Sequence, residues 1–256
     1  MTAELGWTTT SLALALALLA APTRASAQDP ALSAGGSLDL ATSYVWRGMQ
    51  IDDDVNVQPS LWLDYGPFEL GTWGSHSFDD YHEQDFWLTF FLPEWKAGSL
   101  ALTLNDYYVN SDFGSDFADF SGVEDCPADE GFGNPPRCAT GPHTLEVMGA
   151  FTTAAVPLTF TLAYNFHNDP ENATYAEAAF TPSLAGFDLG LVAGGTLGES
   201  AYYYGTNGSA FTNLTASVGR TPTVGRFSIP VVAQVTSNPA WNETFYVLRV
   251  GVAADF

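Results

Sequence analysis

Charged residues with a regular spacing are the side chains of this sequence that could do chemistry. They recur in one phase of an alternating apolar and polar pattern, so each would point to the same face of an extended strand. The set consists of seven acids and two arginines: Asp39, Asp64, Glu69, Asp85, Glu146, Glu177, Asp188, Arg47 and Arg249. If the strands close into a barrel, this face is the lumen, and its excess of carboxylates would favour cations or cationic solutes.

A structural role for the same charges competes with this interpretation. Arg47 and Arg249 would lie on the first and last strands, where they could lock the closing seam by pairing with acids such as Asp39. Isolated charges inside a barrel cost free energy unless they are paired or hydrated, so several of them need partners.

The two cysteines of the chain, Cys126 and Cys138, both fall in a long segment at 111–142. In an exported protein such a pair predicts a disulfide, and the spacing is too sparse for a metal site. The same segment is acidic, which indicates either a solvated loop or divalent-cation binding such as Ca²⁺. No EF-hand spacing is present, and we expect neither a metal site nor a cofactor.

Catalysis would require a nucleophile and a base placed together. The four histidines, His76, His82, His143 and His167, are scattered, and neither G-x-S-x-G nor H-E-x-x-H occurs. The sequence therefore predicts a protein that is not an enzyme.

Strands are the elements that must position these charges. Alternating patterns predict twelve strands, at 37–49, 55–65, 68–76, 82–92, 98–110, 143–154, 157–168, 172–182, 186–195, 211–220, 226–236 and 243–256. Several have the length of about 9 to 11 residues that a tilted strand needs to cross a bilayer. Every second connection is short and the longest ones fall between, as in a transmembrane, antiparallel, up-and-down β-barrel with outside loops. In that fold 111–142 is a long extracellular loop.

The two ends of the chain indicate export and assembly. Residues 12–21 read LALALALLAA and precede Ala25-Ser26-Ala27, which predicts a cleaved signal peptide at 1–27 and a barrel domain at 28–256. The alternating segment 243–256 ends in Phe256 and resembles the last strand of bacterial outer-membrane barrels. That resemblance implies recognition by the barrel-assembly machinery, and a location in the lipid of the outer membrane.

Charge restricts the partners further. The net charge of −22 disfavours nucleic acid. A secreted lipid-binding barrel with apolar residues inside would tolerate the same acids on its outer face. Against it stand the terminal Phe256 and aromatic residues near strand ends, which suit the interfacial girdles of a membrane barrel.

The predicted first strand contains Tyr44-Val45-Trp46-Arg47-Gly48, which resembles the opening-strand signature of the TorF family of proteobacterial outer-membrane barrels. The order of later features is similar: Glu83-Gln84-Asp85, Tyr107-Tyr108, Glu146, Tyr175-Ala176-Glu177-Ala178 and Gly190. The resemblance implies an outer-membrane barrel that acts as a porin, without a defined substrate.

Three functions remain open from the sequence. They are a pore for small cationic or neutral polar solutes, a plugged structural or surface-binding barrel without transport, and, least favoured, a barrel enzyme. Bulky lumen-phase residues could fill a barrel of this size: Trp62, Trp73, Trp87, Phe91 and Tyr107.

Overall fold

The computed structural model describes residues 32–78, 81–109, 116–124 and 138–256. The predicted signal peptide and Cys126 lie outside these ranges. Twelve long strands form the wall: β1 Leu32–Ala41, β2 Asn56–Tyr65, β3 Phe68–Ser77, β4 His82–Phe91, β5 Gly98–Val109, β6 His143–Thr153, β7 Leu158–His167, β8 Thr174–Phe180, β9 Phe187–Thr196, β10 Ala210–Arg220, β11 Val231–Asn238 and β12 Glu243–Asp255.

Each strand pairs antiparallel with the next in the chain, and β12 pairs with β1, so the sheet is a closed ring. The seam runs from Gly35 opposite Asp255 to Ala41 opposite Arg249. Beyond it, the backbone N–H of Phe256 donates to the carbonyl of Ala34 at 2.7 Å. The predicted twelve-stranded antiparallel barrel is confirmed.

The described residues contain no helix long and apolar enough to cross a membrane. The outside of the barrel is apolar, because alternate strand positions carry exposed residues such as Leu70, Leu162 and Leu248. The intervening positions are buried and mostly polar, such as Thr159 and Asn105. An apolar outer surface around a polar interior is the arrangement of a membrane-spanning barrel.

The two ends of the barrel differ in their connections. Leu32, the first described residue, and Phe256 lie at the turn end, where the connections are short, as at Gly66-Pro67 and 154–157. The opposite end, here called the loop end, carries the long connections 42–55, 110–142 and 197–209. In the described part of 110–142, Val123–Glu124 pairs with Cys138–Ala139.

The first predicted strand, 37–49, is wrong. The wall strand β1 ends at Ala41, and the chain then turns inward as a hairpin of Tyr44–Trp46 and Met49–Asp52. The predicted strand at 226–236 is interrupted, because Phe227–Ser228 is a short strand that pairs with β12 through Ser228 and β11 begins only at Val231. Pro230 precedes it and cannot donate a backbone hydrogen bond to a neighbouring strand. The other predicted strands differ from the observed ones mainly at their ends.

Glycines in the wall make room for indole rings in the lumen. Across β1 to β4, glycine and tryptophan alternate as cross-strand partners, in the order Gly35, Trp62, Gly71 and Trp87. A Cβ atom on Gly71 would lie 2.1 Å from the ring of Trp87, and one on Gly35 would lie 2.3 Å from the ring of Trp62. The rings therefore lie against bare backbone, which holds them close to the wall.

We expect Gly71→Ala to destabilise the barrel by about 1–3 kcal/mol, because the methyl group must displace Trp87 from a packed lumen. Urea unfolding of refolded protein in micelles measures the change. Gly198→Ala is the control, since a Cβ atom there meets no atom within 4 Å. Equal stability of the two variants would contradict the packing interpretation.

Candidate functional site

The inward hairpin is closed by a turn at Arg47-Gly48. Trp46 pairs with Met49, and both turn residues have positive φ, 45° at Arg47 and 88° at Gly48. Two central residues with positive φ are the requirement of a type I′ hairpin turn. A Cβ atom on Gly48 would lie 1.7 Å from the carbonyl oxygen of Thr212 in β10, so the tip of the hairpin lies directly against the barrel wall.

The guanidinium of Arg47 binds the carboxylate of Glu146 in β6. Nη1 donates to Oε2 at 2.5 Å and Nη2 to Oε1 at 3.0 Å, and the two side chains are only 3% and 1% exposed. Asn105 and Tyr107 donate to the same Oε1 atom at 3.0 and 2.8 Å. The carboxylate is thus satisfied by an opposite charge and two neutral donors, which a buried charge requires.

Aromatic rings enclose the arginine. Its guanidinium carbon lies 4.5 Å from the ring centre of Trp46 and 4.6 Å from that of Tyr175. Nη1 also donates to the hydroxyl of Tyr204 at 2.9 Å. The ring of Tyr204 stacks on those of Trp46 and Tyr175, with centres 5.7 and 5.6 Å apart.

Tyr204 belongs to a second segment that folds inward, Glu199–Ser200 paired with Thr206–Asn207. We call this segment and the hairpin at 44–52 together the plug. The plug separates a chamber below from a vestibule at the loop end. Gln58, Glu177, Gln234 and Arg249 are among the residues that line the chamber. The vestibule has a volume of about 470 Å³.

The position of Arg47 corrects the predicted seam. Arg47 does not lie on the first wall strand, because the hairpin carries it across the lumen to Glu146. Arg249 does lie on β12 at the seam, half-buried, and it interacts electrostatically with Asp39 of β1. The two arginines therefore interact with different acids, Arg47 with Glu146 in the lumen and Arg249 with Asp39 at the seam.

Three of the other predicted lumen acids lie near the turn end. Ser33 donates to Asp64 at 3.2 Å, Trp87 to Glu69 at 2.8 Å and Ser183 to Asp188 at 2.7 Å. Glu177 lies higher, beside the plug, and accepts hydrogen bonds from Tyr175 at 2.6 Å and Asn213 at 3.1 Å. The predicted site residues thus form separate groups along the lumen.

Glu83 is a lumen acid that the candidate set omitted. It lies two residues before Asp85 on the same face of β4, and both side chains are buried. Tyr44 donates to Glu83 at 3.3 Å, and Tyr81 donates to its other oxygen. The alternation that selected Asp85 also selects Glu83, so the sequence contained the signal.

His143 lies on the outer face of the barrel wall, buried beneath Phe117 and Phe120. Nδ1 of His143 is 2.8 Å from Oδ1 of Asp106, and Nε2 is 2.9 Å from the carbonyl oxygen of Phe117. Phe120 stacks on the imidazole with ring centres 4.0 Å apart. Residues 117–120 of the long connection 110–142 therefore pack on the outside of the barrel. No group of three potential metal ligands occurs among the described residues.

No protein-family model matches the chain, and no curated protein matches it either. Among solved structures, the chain is similar to a KdgM porin in complex with disordered oligogalacturonate. The identity is 9% and the TM-score 0.49, and the match covers 88% of this chain and 99% of that one. It is also similar to OccK1 (OpdK) of Pseudomonas aeruginosa, with 12% identity and a TM-score of 0.36 over 90% of this chain and 60% of that one.

We expect Glu146→Gln and Arg47→Met each to destabilise the protein by about 3–5 kcal/mol, because each leaves a buried charge without its partner. The double variant removes both charges, so its cost should fall below the sum of the single costs by about 1–3 kcal/mol. Urea unfolding in micelles gives all three values, with the exposed Arg220→Met as control. Additive costs would show that the two side chains do not stabilise each other.

Proposed function

We propose that the chain is an outer-membrane channel for small cationic or neutral polar solutes, with the loop end facing outside. The observation that carries the proposal is a closed barrel with an apolar outer surface and a lumen lined by carboxylates. Such a barrel presents a polar path through the bilayer, and unbalanced carboxylates along it attract cations.

The charges of the lumen support cation preference after pairing is counted. Arg47 is bound to Glu146, and Arg249 interacts with Asp39. Among the described residues, no basic side chain forms an ion pair with Glu83, Asp85 or Glu177. At an effective dielectric near 20, a carboxylate about 4 Å from a passing cation contributes roughly 4 kcal/mol of attraction.

The resemblance to the TorF family supports the same proposal. The residues that carry it, 44–48, form the tip of the plug, and Glu146 is the partner of Arg47. We therefore include membership of that family in the proposal. The proposal also includes export through a cleaved signal peptide, a Cys126–Cys138 disulfide in an extracellular loop and recognition of Phe256 by the barrel-assembly machinery.

A plugged barrel without transport is the second candidate, and the plug is the observation that favours it. Tyr175, Tyr204 and Glu146 are each only 1% exposed, so this layer leaves little open space around them. In this second case the loop end would serve for binding or structure.

We expect a cation-selective reversal potential in a KCl gradient across a planar bilayer. Glu83→Gln combined with Glu177→Gln should lower that selectivity, because it removes one carboxylate above the plug and one below it. Asp119→Asn is the control, since Asp119 lies in the part of the connection 110–142 that packs outside the barrel. An anion-selective or neutral wild type would refute the charge argument. Selectivity that survives the double change would mean that other carboxylates determine it.

We expect Trp46→Ala combined with Tyr204→Ala to raise the single-channel conductance, because the two stacked rings fill the lumen at the plug. Trp95→Ala, an exposed tryptophan at the turn end, is the control and should conduct as wild type does. Unchanged conductance in a folded double variant would show that the plug does not limit passage. A wild type that conducts nothing, beside a double variant that conducts, would favour the plugged barrel.

A further inference from the structure

We propose that the vestibule binds a small organic cation, an ammonium group that carries a compact apolar body. Among the described residues that line the vestibule, Glu83 is the only charged one, and seven of the others are tyrosine or tryptophan. The vestibule therefore offers one negative charge within an aromatic enclosure. Its volume of about 470 Å³ lies within the range of small-molecule sites.

Glu83 supplies the anionic end of the site. The residue is only 6% exposed, and the hydroxyls of Tyr44 and Tyr81 hold its carboxylate in place. No lysine, arginine or histidine is found in the described lining of the vestibule. A carboxylate this far removed from bulk water gains more from a cationic ligand than a surface carboxylate does.

The aromatic residues supply the apolar end. The vestibule is lined by Glu83 together with aromatic residues that include Tyr44, Tyr81, Tyr203 and Trp241. The ring centres of Tyr44 and Tyr81 lie 6.0 Å apart. Trp241 packs on Gly205, where a Cβ atom would lie 2.9 Å from its indole nitrogen, so the indole lies against bare backbone. Aromatic faces attract ammonium groups, most strongly where water is excluded.

Arg47 of the plug, below the vestibule, shows the same combination of a cation with aromatic rings and a carboxylate. Its guanidinium lies over the rings of Trp46 and Tyr175 while it binds Glu146. The vestibule repeats the combination of a buried carboxylate and aromatic rings, without an internal cation among its described residues. A ligand would supply that cation.

The chemistry of the lining favours an organic cation over the alternatives. A divalent metal takes six or more oxygen ligands, and one carboxylate with phenol groups does not provide them. A neutral sugar would use the rings but would leave the charge of Glu83 without a partner. An ammonium compound with methyl or methylene groups satisfies both parts of the site.

The test is a titration of refolded protein in micelles at low ionic strength, followed by tryptophan fluorescence and calorimetry. Choline is the probe, 3,3-dimethylbutan-1-ol is its uncharged isostere, and glucose represents a neutral sugar. We expect choline to bind at least about tenfold more tightly than the isostere, and Glu83→Gln to remove this preference. Glu94→Gln, the same change in an exposed turn at the other end of the barrel, should bind as wild type does.

Three outcomes would overturn the proposal: no choline binding to wild type, equal binding of choline and its isostere, or unchanged choline affinity in Glu83→Gln. Glucose binding without choline binding would assign the vestibule to sugars instead. If Glu83→Gln does not fold, Trp241→Ala at the rim of the vestibule takes its place, with a loss of choline affinity expected and an unchanged affinity overturning the proposal. The titration does not depend on conduction. The proposed binding site can therefore be refuted without refuting the proposed channel, and the channel without refuting the binding site.

Discussion

The rest of the structure depends on closure of the strand ring. In a bilayer each unpaired backbone N–H or C=O costs several kcal/mol, so a sheet can span it only when its edges meet. Here β12 pairs with β1, and no edge remains in the wall. Closure also divides the side chains into an apolar outer set and an enclosed inner set. Most charged residues of the wall strands then lie in the lumen, whereas Asp106 lies on the outer face beside His143.

Enclosure of the charges explains why the plug exists where it does. A guanidinium inside a narrow barrel must find an acid, and Arg47 reaches Glu146 only because the hairpin leaves the wall after Ala41. Three features hold the hairpin in this geometry. Arg47 and Gly48 form its turn with positive φ, and Gly48 has no Cβ atom that would clash with Thr212. The ring of Tyr204 also stacks on that of Trp46. The ion pair and the inward fold therefore stabilise each other.

Much of the wall could be predicted from sequence, because period-two alternation is a local property. The hairpin could not, since Tyr44 to Met49 continues the alternation and Arg-Gly is not a typical turn pair. The Arg47 contact with Glu146 was equally hidden, because alternation fixes which face a residue occupies and not what lies across the lumen. Glu83 has the same phase as Asp85, so the alternation predicts a lumen position for it as well.

The lumen acids differ in whether a basic side chain of the plug already neutralises them. Glu146 is neutralised by Arg47 inside the plug, whereas Glu83 lies above the plug and Glu177 beside the chamber below. A cation that enters from the loop end therefore meets an attractive carboxylate, then a layer that is electrically balanced and filled with rings, and then a second attractive carboxylate. Attraction without passage favours residence at Glu83. Solute choice would then be made in the vestibule, and the rate of passage would depend on how readily Trp46 and Tyr204 part.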